Sequence, residues 1–125
     1  MPETIRYQSS IIHMRRTATV DAELGGKRIK AGDKVIMWYI SGNRDDETLD
    51  RPDEFIVDRA RPRQHLSYGA GIHRCVGDRL ADLQLAILWE EILKRDMKIE
   101  VLDAPTRVNS NFIRGIKQMP VRIAA

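Results

Sequence analysis

Cys75 is the only cysteine of the chain, and it sits in the string Ser67 to Ala81, SYGAGIHRCVGDRLA. Gly69 and Gly71 precede it and Gly77 follows it. Backbone without side chains therefore flanks one sulfur, which leaves room for a bulky, flat group. A helix is expected to begin near Asp78, and the free N–H groups and positive end of such a helix suit a thiolate. Three chemistries use that form. One is iron ligation. A second is a nucleophilic pair with His73, although two residues in an extended segment share a face without the contact that proton transfer needs. A third is a zinc set of His65, His73 and Cys75, for which no fourth ligand lies nearby. The commoner fate of a lone cysteine is that of a small, inert, buried apolar residue.

The elements that must position this string can be read on either side of it. Residues 2 to 9 allow one or two helical turns with Pro2 in the tolerated first position, too short to stand without tertiary support. Between Arg15 and Ile40, β-branched residues and the turn-like Leu24 to Gly26 predict two or three short strands. The run Val35 to Ile40 is ambiguous between a strand and a buried helical turn. Residues 41 to 66 are rich in Asp, Arg, Pro and Asn and predict a long irregular connection, which in compact domains is often functional. From Asp78 to Arg95 apolar residues recur at three and four, predicting a helix packed against a partner layer. Strands are expected at Lys98 to Val101 and Val121 to Ile123, with a turn over Asn109 to Gly115.

Composition narrows the classes. The chain has 125 residues, enough for one domain and a modest core, with 42% hydrophobic and 31% charged residues. It contains no apolar stretch long enough to span a bilayer and no secretory signal at MPETIRYQSS, so the expected compartment is the cytoplasm. A single cysteine rules out a disulfide framework. The net charge of +3 is too small to argue for nucleic acid. Its distribution is more telling, because Arg59, Arg61, Arg63, Arg74 and Arg79 face only Asp78 between positions 59 and 79.

Tyr68 to Gly77, YGAGIHRCVG, resembles the cysteine-ligand loop of the cytochrome P450 family, the haem-thiolate monooxygenases, with Tyr68 where the family usually has Phe. Glu3-Thr4-Ile5-Arg6 resembles the family's Glu-x-x-Arg helix. Pro52-Asp53-Glu54-Phe55 with Arg59 resembles its meander, whose arginine completes that ion-pair network. Within the family, HMRRTATVDAELGG, KVIMWYISGNRD, RPRQHLSYGAGIHRCVG and LWEEILKR are similar to the bacterial alkane and fatty-acid terminal hydroxylases. The resemblance covers essentially all 125 residues but only the C-terminal part of a mainly helical fold. It implies that residues 1–125 are the haem-ligand portion of one P450 domain, without its central helix and inactive alone. That portion should be α+β: short strands, meander, cysteine loop, one long helix and a C-terminal hairpin.

The resemblance also implies roles. Cys75 would be the axial ligand of haem b (iron protoporphyrin IX), with Tyr68, Gly69 and Gly77 shaping the loop at the cofactor. Arg16 and His73 would reach the haem propionates, and His65 would be either a third cofactor contact or a structural residue. Glu3, Arg6 and Arg59 would form a desolvated charge network. Ile11, Ile12, Met14, Phe112 and Ile113 would line an apolar substrate site, with core packing as the plain alternative. A ferredoxin-type electron donor with its reductase would dock on the basic face of Arg61, Arg63, Arg74 and Arg79. The implied reaction takes O2 and an apolar small molecule, with neither nucleic acid nor a membrane span. Two other classes stay open on the residues alone: a non-haem Cys/His metal or thiol module, and an inert binding module that uses only the basic patch.

Overall fold

The computed structural model describes residues 1–124. It opens with α1 (Pro2–Gln8), a helix of 7 residues with proline in its first turn, stopped by Ser9 in the left-handed region at φ 44°. So short a helix does not hold by itself. Its support is a pair of side chains, Glu3 and Arg6, buried on the face it turns inward.

Next come β1 (His13–Thr17), β2 (Ala22–Leu24), β3 (Lys27–Ile29) and β4 (Lys34–Trp38). Strands β1 and β4 pair antiparallel, His13 opposite Trp38 and Thr17 opposite Lys34. Strands β2 and β3 form a separate hairpin across Gly25 and Gly26, both at positive φ, as a two-residue turn between twisted strands requires. The ambiguous apolar run resolves into both alternatives. It is strand to Trp38 and then a helical turn, α2 (Tyr39–Gly42), which buries Tyr39.

From Asn43 to Ala70 the chain makes turns and bends with no helix or strand. A 3-10 turn (Gly71–His73) and α3 (Asp78–Lys94) follow. The C-terminal part holds β5 (Lys98–Val101), β6 (Thr106–Arg107), β7 (Ile116–Gln118) and β8 (Val121–Ala124), paired β5 with β8 and β6 with β7. A bridge between Ile11 and Ile113 ties the loop between β6 and β7 back to the segment after α1.

Two expectations change here. Among the described residues the only buried apolar ones are Tyr39 and Leu49, whereas Glu3, Arg6, Ser9, Asn43 and Arg59 are all buried. The core of this region is polar. The apolar stripe of α3 also meets no covering layer among the described residues: no residue of the helix is buried, and Leu80 and Leu93 are 60% and 74% exposed.

Candidate functional site

The buried charges come together from two stretches of chain, α1 and the irregular segment that ends at Arg59. Glu3 and Arg6 face each other across one helical turn, with Arg6 Nη2 donating to Glu3 Oε1 at 2.7 Å and Nε to Oε2 at 2.8 Å. This fork matches the planar guanidinium to the planar carboxylate. Arg59 donates from Nε to the same Oε2 at 3.1 Å, and the Ile56 amide donates to Oε1 at 2.9 Å. Burial alone would raise the Glu3 carboxyl, but hydrogen bonds from Arg6, Ile56 and Arg59 outweigh it and hold the pKa at about 2. The guanidinium N–H groups left over bind backbone carbonyls. Arg6 takes those of Asn43, Pro52 and Glu54, and Arg59 takes those of Asp50, Arg51 and Glu54. A stretch without strands or helices is thus shaped around two cations.

Asn43, which sequence reasoning missed, joins this network to the cysteine loop. It is fully buried. Its Nδ2 reaches Ser9 Oγ and Ser67 Oγ, both at 2.8 Å, and its Oδ1 accepts the Leu66 amide at 2.6 Å. Ser67 in turn donates to the Ile5 carbonyl at 2.9 Å. Every polar group of that side chain is therefore used, in keeping with its burial. An asparagine after an apolar run signals a turn, but nothing in its neighbours reveals partners from two distant stretches.

In the loop itself, the Cys75 amide donates to the Tyr68 carbonyl at 2.8 Å and the Asp78 amide to the Cys75 carbonyl at 3.3 Å. The thiol is exposed, and beside it Ile72 and Val76 are essentially bare, at 96% and 102%. A Cβ on Gly77 would meet Cys75 Sγ at 3.8 Å, and one on Gly71 would meet nothing within 4 Å. Gly69 is different: it is buried at φ +71°, and a Cβ there would lie 3.1 Å from both the His73 carbonyl oxygen and the Tyr39 hydroxyl. His73, in the 3-10 turn, is exposed. His65 is half-buried against the Tyr68 ring at 5.4 Å, and its Nδ1 is buried with no hydrogen-bond partner among the described residues. Burial pushes its pKa below the ordinary imidazole value.

The remaining sequence candidates lie elsewhere. Arg16 is on β1 and donates to the Arg15 carbonyl. Ile11 and Ile12 meet Phe112 and Ile113 through the Ile11–Ile113 bridge and the bond from the Ile12 amide to the Phe112 carbonyl at 3.0 Å. Met14 pairs with Met37 on the adjoining strand. The basic face is less basic than its residue count implies: Arg59 is buried on Glu3, Arg74 binds Asp78 at 2.6 Å, and Arg63 lies 3.8 Å from Asp82. Nor does the zinc set assemble, since among the described residues no three of His, Cys, Asp or Glu gather closely enough to hold a metal.

A family model for cytochrome P450 matches residues 1–118. The chain belongs to the cytochrome P450 family. Linalool 8-monooxygenase of Pseudomonas putida is 44% identical over 119 residues, which are 95% of this chain and 29% of that protein. A methyl-branched lipid omega-hydroxylase of Mycobacterium bovis is 39% identical, over 95% of this chain and 28% of the relative. Among solved structures, the cytochrome P450-153 of Novosphingobium aromaticivorans superposes with a TM-score of 0.94 at 53% identity, covering 98% of this chain and 31% of the other. The chain thus spans about 30% of the length of the P450s it matches, in the C-terminal part of their fold.

Haem b is the cofactor of P450s, and the residues present fit it. A single exposed thiol shares its loop with the bare side chains of Ile72 and Val76 and with Gly71, which faces open space, and the loop's Tyr68 ring packs on His65, whose buried Nδ1 has no partner among the described residues. No helix among the described residues is long and apolar enough to cross a membrane.

Proposed function

We propose that residues 1–125 provide the haem-ligand portion of a P450 monooxygenase, and that the whole protein inserts one oxygen atom of O2 into a C–H bond of an alkane or fatty-acyl chain at its terminal carbon. The observation that carries this reading is the exposed Cys75 thiol, held by its amide on Tyr68 and bordered by Ile72 and Val76. Haem, when bound, supplies the activation of dioxygen and the electron transfer that the side chains cannot perform. Cys75 would hold the iron through its thiolate, a strongly electron-donating ligand. Gly77 keeps the space beside the sulfur clear and Gly71 leaves open space in the same loop, while Gly69 lets the loop pack closely on Tyr39 and the His73 carbonyl. Arg16 and His73 reach the two propionates, and His65 adds a hydrogen-bonding contact through the buried Nδ1 that has no partner among the described residues.

Ile11, Ile12, Met14, Phe112 and Ile113 line the substrate side with groups that offer an alkyl chain only apolar contact. The pairing of residues 11–12 with 112–113 supports one shared surface. Relatives that act on linalool and on a methyl-branched lipid support an apolar substrate. A ferredoxin-type donor with its reductase delivers the electrons, docking where Arg61 and Arg79 stand beside the partly balanced Arg63 and Arg74. The test is optical. The reduced, haem-loaded protein under carbon monoxide should show the red-shifted Soret band of thiolate ligation, and Cys75→Ser should abolish it. A variant that kept the native spectrum would refute the ligand assignment.

A further inference from the structure

Tyr68, the one departure from the family's usual loop wording, makes a contact that phenylalanine does not offer. Its hydroxyl donates to Asp82 Oδ1 on the second turn of α3 at 3.0 Å. Burial and that hydrogen bond both raise the phenol's pKa, so the hydroxyl keeps its proton and remains a donor. The ring is fixed on two further sides, by His65 at 5.4 Å and by the Arg74 guanidinium at 5.8 Å from its centroid. Arg74 is itself held on α3 through Asp78, and the other carboxylate oxygen of Asp82 lies 3.8 Å from Arg63. The backbone of the same tyrosine carries the acceptor for the Cys75 amide.

We infer that the Tyr68 hydroxyl and Asp82 form a clamp that fixes the Tyr68 carbonyl, and through it the Cys75 backbone, against α3, making Tyr68 a positioning residue for the thiolate ligand. The proposal rests on the haem-thiolate reading for its consequence but not for its geometry, which belongs to the protein alone. The loop between Tyr68 and Cys75 has no other side-chain hydrogen bond to α3 than the exposed contact from Arg74 to Asp78. Without the clamp, the turn that presents the sulfur is held at one end by backbone bonds and at the other by the start of the helix. A hydrogen bond to an ionised acceptor is stronger than a neutral one, so its loss should be measurable.

The experiment has two readouts on Tyr68→Phe and Asp82→Leu, with Asp82→Asn, which keeps an acceptor, as the rescuing variant. The first is hydrogen exchange of the Cys75 amide in the haem-free full-length protein. It is expected to quicken by about tenfold in Tyr68→Phe and Asp82→Leu, and by much less in Asp82→Asn. The second is the carbon-monoxide spectrum of the reduced holoprotein. The red-shifted Soret band is expected to decay faster on mild heating in the first two variants and at close to the wild-type rate in Asp82→Asn. Phenylalanine fills the ring's space, so general unfolding is not the expected outcome for Tyr68→Phe. Unchanged amide exchange in both Tyr68→Phe and Asp82→Leu overturns the clamp, whatever the spectra show. A wild-type protein lacking the thiolate band refutes the haem reading instead, and the exchange data then still decide the clamp.

Discussion

Glu3 shows how a single side chain can set the pH range of a structure. It is one carboxylate serving two guanidiniums and an amide, and its pKa in the folded protein is about 2, against 4.5 for the free group. A depressed carboxyl contributes its stabilisation above the unfolded-state value and loses it as pH falls towards the folded one. The urea midpoint of the full-length protein should therefore fall between about pH 4.5 and pH 2. Glu3→Gln should start from a lower midpoint at neutral pH and lose less over that interval, because no proton uptake at position 3 remains. Identical slopes would show that the acid sensitivity lies elsewhere. The lower start is expected because two buried cations lose their counter-charge, and breaking a buried pair costs about 3–5 kcal/mol.

Among the elements, the cysteine loop depends on a close approach that only one residue type allows. Gly69 combines φ +71° with neighbours 3.1 Å from where a Cβ would sit, one of them the backbone carbonyl of His73, which cannot swing aside. Gly69→Ala should destabilise the protein by about 1–3 kcal/mol in denaturant titrations and loosen haem retention, whereas Gly71→Ala meets only backbone strain. A Gly69→Ala protein with wild-type midpoint would contradict the tight fit. The motif around Cys75, the helix from Asp78, and the strands at Lys98 and Val121 were legible because periodicity and glycine spacing are local signals. What was not legible is what distant residues do to one another. Asn43 gives no local hint that it will bond to Ser9, Leu66 and Ser67. Asp82 reads as one acid on a wet helix face until Tyr68 is laid beside it. The arginine count likewise overstated the basic face, since carboxylates from other turns of chain sit against Arg59, Arg63 and Arg74.

For the molecule as a whole, the balance of buried and bare surface decides stability. Fully burying an aliphatic or aromatic side chain stabilises by about 1.5–3 kcal/mol, while ordering each residue costs about 1–2 kcal/mol. With Tyr39 and Leu49 as the only buried apolar residues among those described, and the apolar stripe of α3 bare, the 125-residue chain lacks the driving force for cooperative folding. A calorimetric scan of this chain alone should show a broad, weak transition and no sharp reversible one.

The stretch after Asn43 has the logic of a crown ether. Its carbonyls from Asp50, Arg51, Pro52 and Glu54 converge on the guanidiniums of Arg6 and Arg59, and a peptide oxygen is the same ligand whichever amino acid carries it. The side chains at those carbonyls are therefore freer to drift than their path through space: a protein engineer can rewrite the rim, provided that the buried Leu49, the two cations at its hub and the acid between them are left alone.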